Sequence, residues 1–226
     1  MRLLFIPGFG EDPSIFEKIQ NHIPGEKVFL DYWVLLGDRP RPELNALQYA
    51  KELVEQFGIT KQDVVIGHST GGWIAYHIKH LVNCPVVQIA SWSDSSKVVS
   101  PVKNRRLIYW FVKRGLYFNS LVRRYIIRNK YRNKPSEAVF DQVFRRLARE
   151  DKYKVINQMR LIFNPVQQPI SVQPDLRIHA RPDSIIRYPD QPAVDVPGDH
   201  FSLYTYPREV YEPINRFIKQ LQEVSS

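Results

Sequence analysis

Gly67-His68-Ser69-Thr70-Gly71 sets a serine hydroxyl between two glycines, directly after the apolar run at residues 63–67 and directly before the helical pattern of residues 72–81. The glycines permit a sharp strand-to-helix turn with a strained backbone at Ser69, and the N-terminus of the following helix faces any anion that develops there. A serine is a poor nucleophile at neutral pH until a neutral imidazole accepts its proton. A carboxylate must then hold the other ring nitrogen in the right tautomer. Val196-Pro197-Gly198-Asp199-His200-Phe201 supplies an imidazole in a loop ahead of the last helical pattern. Ser69 and His200 together suggest nucleophilic acyl transfer. The plainer alternatives are a tight turn at Ser69 and an exposed loop histidine at His200.

Other chemistry-bearing residues read more blandly. His77 and His80 lie three apart on one helix, but no Asp, Glu or third His nearby completes a ligand set, so helix packing or surface placement is expected and no metal. Asp195 and Asp199 read as a strand-end and a turn residue, His68 as a side chain under the serine turn, and His179 as the end of a strand. Trp92, Tyr109 and Trp110, with Phe111, Tyr117 and Phe118, could line an acyl pocket, and the same spacing equally suits ordinary core.

The elements that must position these residues alternate. Residues 2–6, 27–33, 63–67 and 85–90 are short apolar runs bounded by Gly or Pro and read as buried strands. Between them, residues 13–23 predict a short amphipathic helix, Leu44, Leu47, Val54 and Phe57 a second ending at Gly58, and residues 72–81 a third. Strand-helix alternation of this length argues for βαβ crossovers and a mainly parallel sheet. From residue 95 to 170 the pattern changes to a helical insertion, with Val139, Val143 and Leu147 and then Val155, Ile156 and Met159 in helical register. Residues 167–174 predict a linker back to the sheet, residues 176–180 and 193–196 two more strands, and residues 207–224 a last amphipathic helix.

Taken together, these residues resemble an α/β-hydrolase-fold serine hydrolase of the esterase, lipase and thioesterase kind over nearly the whole chain. The matching motifs are an oxyanion-type turn at Pro7-Gly8-Phe9-Gly10, a nucleophile elbow at Gly67 to Gly71, an acid loop at residues 178–186 and the His200 loop, in the family's Ser, Asp, His order. The resemblance implies an α/β fold with a mainly parallel sheet of about six strands flanked by helices. Because Arg2 begins the first strand, it implies that fold without the family's first two strands. Residues 1–94 and 171–226 form the core domain in this reading, and residues 95–170 a helical cap.

Carried over residue by residue, the resemblance makes Ser69 the nucleophile, His200 the base and the Phe9 and Thr70 amides the oxyanion hole. Asp183 in His179-Ala180-Arg181-Pro182-Asp183 becomes the acid, because that stretch is similar to the family's H-G-x-x-D. Asp94 is the alternative acid, since thioesterases among others take it from the end of that earlier strand, and Gly198 to Leu203 (GDHFSL) also resembles thioesterase domains. Pro7 stands where many members have His, Ala180 replaces a glycine, and the stretch from Asp183 to His200 is too short for a crossover helix. The implied activity is cofactor-independent cleavage of an ester or thioester through an acyl-enzyme. The alternative is a non-enzymatic protein of the same fold that uses the pocket for a small ligand or an acidic partner.

Composition and charge bound these readings. The 226 residues are 43% hydrophobic and 24% charged, which excludes a disordered or collagen-like chain. No apolar run is long enough to span a membrane and no signal-peptide pattern is present, so a cytoplasmic location is expected. Cys84 is the only cysteine, which excludes an intrachain disulfide. Net charge is +9, and residues 95–170 alone carry +14 against −5 for the rest. Such a cap attracts anions: an acyl group on coenzyme A or an acyl-carrier protein, a phospholipid, or an anionic membrane surface touched peripherally. No recognition motif supports nucleic acid. Arg123, Arg124, Arg145, Arg146 and Arg149 serve equally as solvated outer faces of helices.

Overall fold

The structure, a computed structural model, describes residues 1–100 and 104–225. Apolar runs with no polar alternation bury both faces of a strand, and three of them form the centre of the sheet: β1 (Arg2–Ile6), β3 (Val64–His68) and β4 (Val86–Ile89). β2 (Glu26–Phe29) lies outside β1, and β5 (Leu176–His179) and β6 (Val194–Asp195) lie outside β4. The six strands are parallel in the order β2-β1-β3-β4-β5-β6. Flanked by helices, this is the predicted α/β-hydrolase architecture.

Side-chain alternation divides the core in two. Leu4, Ile6, Val65 and Val86 face α2 (Ala46–Phe57) and α3 (Thr70–Val82), packing with Tyr49, Leu53, Ile74 and Ile78. Asn45 and Gln48 close a capping box at the start of α2, and Gly58 in the left-handed region ends it. Leu3, Phe5, Val64, Ile66, Val87 and Ile89 belong to the opposite core, which includes residues of the inserted segment. That segment forms α4 (Arg105–Lys113), α5 (Ser120–Ile126), α6 (Glu137–Arg149) and α7 (Lys152–Phe163). Its described residues form no strand beyond an isolated antiparallel bridge of Val98 with Ile186, and residues 101–103 lie outside the described residues. α8 (Ser202–Thr205) and α9 (Pro207–Ser225) close the chain.

Two segments differ from expectation. Residues 27–33 do not continue as a strand, because the Asp31 carboxylate accepts from the Trp33 amide at 2.8 Å and starts a short helix, α1 (Tyr32–Leu35). Residues 13–23 form two 3₁₀ turns, Pro13–Phe16 and Gln20–His22, and not an α-helix. Their amides bond three residues back, as in Ile19 to Phe16 and Ile23 to Gln20, and this tighter path buries Ile15, Phe16, Ile19 and Ile23 together.

Candidate active site

In a parallel sheet all carboxyl ends share one edge, and the segments singled out by sequence follow β1, β3, β5 and β6 there. Ser69 lies between β3 and α3 with φ 51° and ψ −121°, a backbone conformation costly for any residue with a Cβ. The flanking glycines make the turn sterically feasible. A Cβ on Gly67 would collide with the backbone of Gly71 and Gly72, and one on Gly71 with the carbonyls of Ile6 and Pro7 at the end of β1. The Ser69 amide donates to the Ile89 carbonyl at 2.9 Å, and its carbonyl accepts from Ser91 Oγ at 2.6 Å and from the amides of Gly72 and Trp73.

His200 follows β6, and its Nδ1 lies 2.8 Å from Asp183 Oδ2. The same carboxylate accepts from the amides of Ile185 (2.7 Å) and Ile186 (2.9 Å) through Oδ1, and His179 Nε2 stands 3.5 Å from Oδ2. Burial opposes charge on Asp183, but the His200 imidazole and these donors outweigh it and hold the carboxyl below its usual range. Burial would likewise depress His200, and the Asp183 carboxylate overcomes that and raises it. Asp94 is elsewhere engaged. Its exposed carboxylate caps a turn, accepting from the Ser96 amide at 2.9 Å and the Ser96 hydroxyl at 2.7 Å.

Two backbone donors remain open. Among the described residues neither the Phe9 nor the Thr70 amide has an acceptor, whereas the amides on either side of Phe9 are taken. Gly8 donates to Glu11 Oε2 at 2.6 Å, and Gly10 donates to Gln158 Oε1 of α7 at 2.9 Å. The turn presses on the elbow, since a Cβ on Gly8 would stand 2.9 Å from Ser69 Cβ.

Glu11 and Gln158 are residues that sequence reasoning missed. Buried Glu11 Oε2 also lies 2.8 Å from His68 Nδ1, and His68 Nε2 donates to the His200 carbonyl at 2.9 Å. One buried network thus ties the Phe9 turn to the elbow and to the His200 loop. Glu11→Ala strands the Gly8 amide and one His68 nitrogen without partners, and is expected to cost about 1–3 kcal/mol for each buried group left unpaired. Glu11→Gln keeps an acceptor for Gly8 and should lose less. Urea unfolding of both variants checks the ranking.

Of the aromatic side chains expected to line an acyl pocket, Phe118 lies in the ring cluster at this edge, with Tyr117 edge-on against it. A chain of ring contacts runs from Phe9 to Phe118 (5.9 Å between centroids), Phe144 (5.4 Å), Phe140 (5.8 Å), Tyr131 (4.2 Å) and Phe201 (6.2 Å), beside His200. The four-residue spacing of Phe140 and Phe144 on α6 was the available sequence signal. Trp92 instead stacks on Trp73 at 5.9 Å in a separate cluster with Tyr76 and Ile186. Tyr109 donates to Asn164 Oδ1 at 3.1 Å and lines a groove of about 720 Å³ with Arg105, Arg106 and Arg160. Trp110 is 48% exposed. His77 is fully buried against Trp73, and burial pushes its imidazole down to about 3.

The inserted segment makes polar contacts at this edge: Ser136 Oγ donates to Asp199 Oδ2 at 2.5 Å, Trp73 Nε1 donates to the Leu161 carbonyl at 3.0 Å, and Arg146 pairs with Asp12. Arg123 and Arg145 both pair with Asp141, so of Arg123, Arg124, Arg145, Arg146 and Arg149, Arg124 and Arg149 are the exposed ones without an ion pair among the described residues.

A sheet of this order with a strained serine after β3 and a histidine–carboxylate pair after β5 and β6 defines an α/β-hydrolase. The alpha/beta hydrolase family model matches residues 3–216, and the chain belongs to that family. Among solved structures it is similar to a hydrolase from Oleispira antarctica (14% identity, 96% of this chain and 90% of that one, TM-score 0.74). It is also similar to a malate-bound thermophilic esterase from Thermogutta terrifontis (17%, 97% and 90%, 0.68) and to an enol-lactonase from Burkholderia xenovorans (14%, 96% and 91%, 0.66). At these identities the likeness speaks for the fold. No curated protein matches the chain.

Proposed function

We propose that the protein is a cytoplasmic serine hydrolase that cleaves a carboxylic ester or thioester through an acyl-enzyme. Ser69 Oγ attacks the carbonyl carbon while His200 Nε2 takes its proton, and Asp183 holds Nδ1–H and stabilises the imidazolium. The amides of Phe9 and Thr70 donate to the oxyanion of the tetrahedral intermediate. Collapse passes the proton from His200 to the leaving alcohol or thiol. Water, deprotonated in turn by His200, then releases the acid and regenerates Ser69.

The observation that carries this reading is the 2.8 Å contact between His200 Nδ1 and the buried Asp183 carboxylate at the sheet edge that bears the Ser69 elbow. The two open amides support it, since Thr70 follows Ser69 directly, Phe9 lies in the turn whose Gly8 packs against Ser69, and neither amide has an acceptor among the described residues. An esterase and an enol-lactonase among the similar structures favour an oxygen ester; acyl-CoA or an acyl-carrier thioester is the anionic variant that the basic cap suits.

A fluorophosphonate probe is expected to label the folded protein at Ser69 and to leave Ser69→Ala unlabelled. A screen of p-nitrophenyl esters against acyl-CoA thioesters of graded chain length then assigns the leaving group. Failure of the folded wild type to label, with no turnover of either class, would overturn the hydrolase reading.

A further inference from the structure

A surface helix normally buries one apolar stripe and turns a polar face to water. α4 and α5 depart from this. α4 buries Ile108 and Val112 in the core yet exposes Leu107 and Trp110 on another face. α5 packs Val122 and Ile126 against the core and exposes Leu121 (69%) and Tyr125 (70%). Of the eight large apolar side chains exposed among the described residues, five (Leu107, Trp110, Leu116, Leu121 and Tyr125) fall in this one stretch of chain.

The charge around them is of one sign. Residues 95–136 contain twelve Lys and Arg and no Asp or Glu. Arg105, Arg106, Arg124 and Arg128 are exposed and make no ion pair among the described residues, and the Arg114 guanidinium lies over the Trp110 ring at 5.8 Å.

We propose that the α4–α5 surface docks on an anionic lipid bilayer, lying on it without crossing it. Leu107, Trp110, Leu116, Leu121 and Tyr125 enter the headgroup and upper acyl region, where indole and phenol rings are at home, and the surrounding Arg and Lys meet lipid phosphates. No helix among the described residues is long and apolar enough to cross a membrane, so the contact is peripheral. An acidic protein would account for the cations but gives no reason for leucines and aromatics left in water between them. The proposal concerns binding alone and does not depend on Ser69 being a nucleophile, so Ser69→Ala is expected to bind as wild type does.

Trp110 provides a built-in reporter, because Trp33, Trp73 and Trp92 are all buried. The test is co-sedimentation of the full chain with phosphatidylglycerol/phosphatidylcholine vesicles and with phosphatidylcholine alone, together with tryptophan emission. Expected are binding to the anionic vesicles only, a blue shift that Trp110→Phe removes, and weakening as salt shortens the Debye length from ~10 Å at 0.1 M to ~3 Å at 1 M. Each surface cation is worth about fivefold in partitioning, so changing Arg105, Arg106, Arg124 and Arg128 together to Gln should lower it by about two orders of magnitude or more.

Leu107→Ser, Trp110→Ser and Leu121→Ser together should reduce binding about tenfold or more, with a melting curve run alongside to show that the variant remains folded at the assay temperature. Absence of vesicle binding overturns the proposal. So does vesicle binding that is indifferent to the apolar triple variant, or the same blue shift with soluble polyglutamate, which would make the patch a site for an acidic protein.

Discussion

Replacing Ser69 by alanine is expected to lower kcat by about 10⁶-fold while leaving the fold intact, the scale set by removal of the nucleophile in serine hydrolases. The hydroxyl plays no part in holding the turn. The elbow is fixed by the Ser69 amide to Ile89 and by donors to the Ser69 carbonyl, all of them unchanged in Ser69→Ala. Alanine also carries a Cβ, so the strain at φ 51° is the same in variant and wild type. Any loss of activity therefore reports the oxygen itself. What survives is the stabilisation supplied by the Phe9 and Thr70 amides and by substrate binding, which in such enzymes still exceeds the water reaction by about 10³–10⁴-fold. Circular dichroism and a melting curve matching wild type, with turnover at that residual level, is the expected pair of results. Turnover near the wild-type rate would move the nucleophile away from Ser69.

The elbow is legible in sequence because its requirement is steric and local. Only glycine lets α3 approach β1 at Gly71 and lets β3 pass under the helix at Gly67, so the pattern is written in five consecutive residues. The central strands are legible in the same way, from apolar runs that must be buried on both faces. What is not legible depends on contacts between distant segments. Glu11 stands in a loop with no spacing to mark it, and its role arises only when His68 and the His200 carbonyl are folded against it. Asp94 and Asp183 both follow strands, and only the tertiary structure sets one against His200 and the other in solvent as a cap for Ser96. The aromatic residues of the insertion are illegible for a related reason. Helical spacing shows that α4 is amphipathic, but not which of its faces meets the core, so Ile108 and Trp110 are told apart only by the tertiary structure, which buries the first and leaves the second half exposed.

Asp183→Asn is expected to lower kcat by about 10⁴-fold, far more than Asp94→Asn, through the tautomer of His200. The Ile185 and Ile186 amides point at Oδ1, so the variant keeps its carbonyl oxygen there and turns its NH₂ towards His200. Nδ1 must then accept that N–H, which forces the proton onto Nε2. The nitrogen that should take the Ser69 proton is already protonated. Asp94→Asn disturbs only an exposed turn cap and should leave kcat nearly unchanged. The pH profile separates this mechanism from mere misfolding. In the wild type Asp183 outweighs burial and raises His200, so kcat/KM should fall on the acid side through a pKa above the ordinary histidine value of 6.5. Without that carboxylate the largest influence raising His200 is gone, and burial, which disfavours the imidazolium, is opposed only by the lesser charges of Glu11 and Asp199, so the acid limb of whatever activity Asp183→Asn retains should move to lower pH. A loss of rate with the limb unmoved would mean that Asp183 supports the loop without acting on His200. A larger loss in Asp94→Asn would transfer the acid role to that residue.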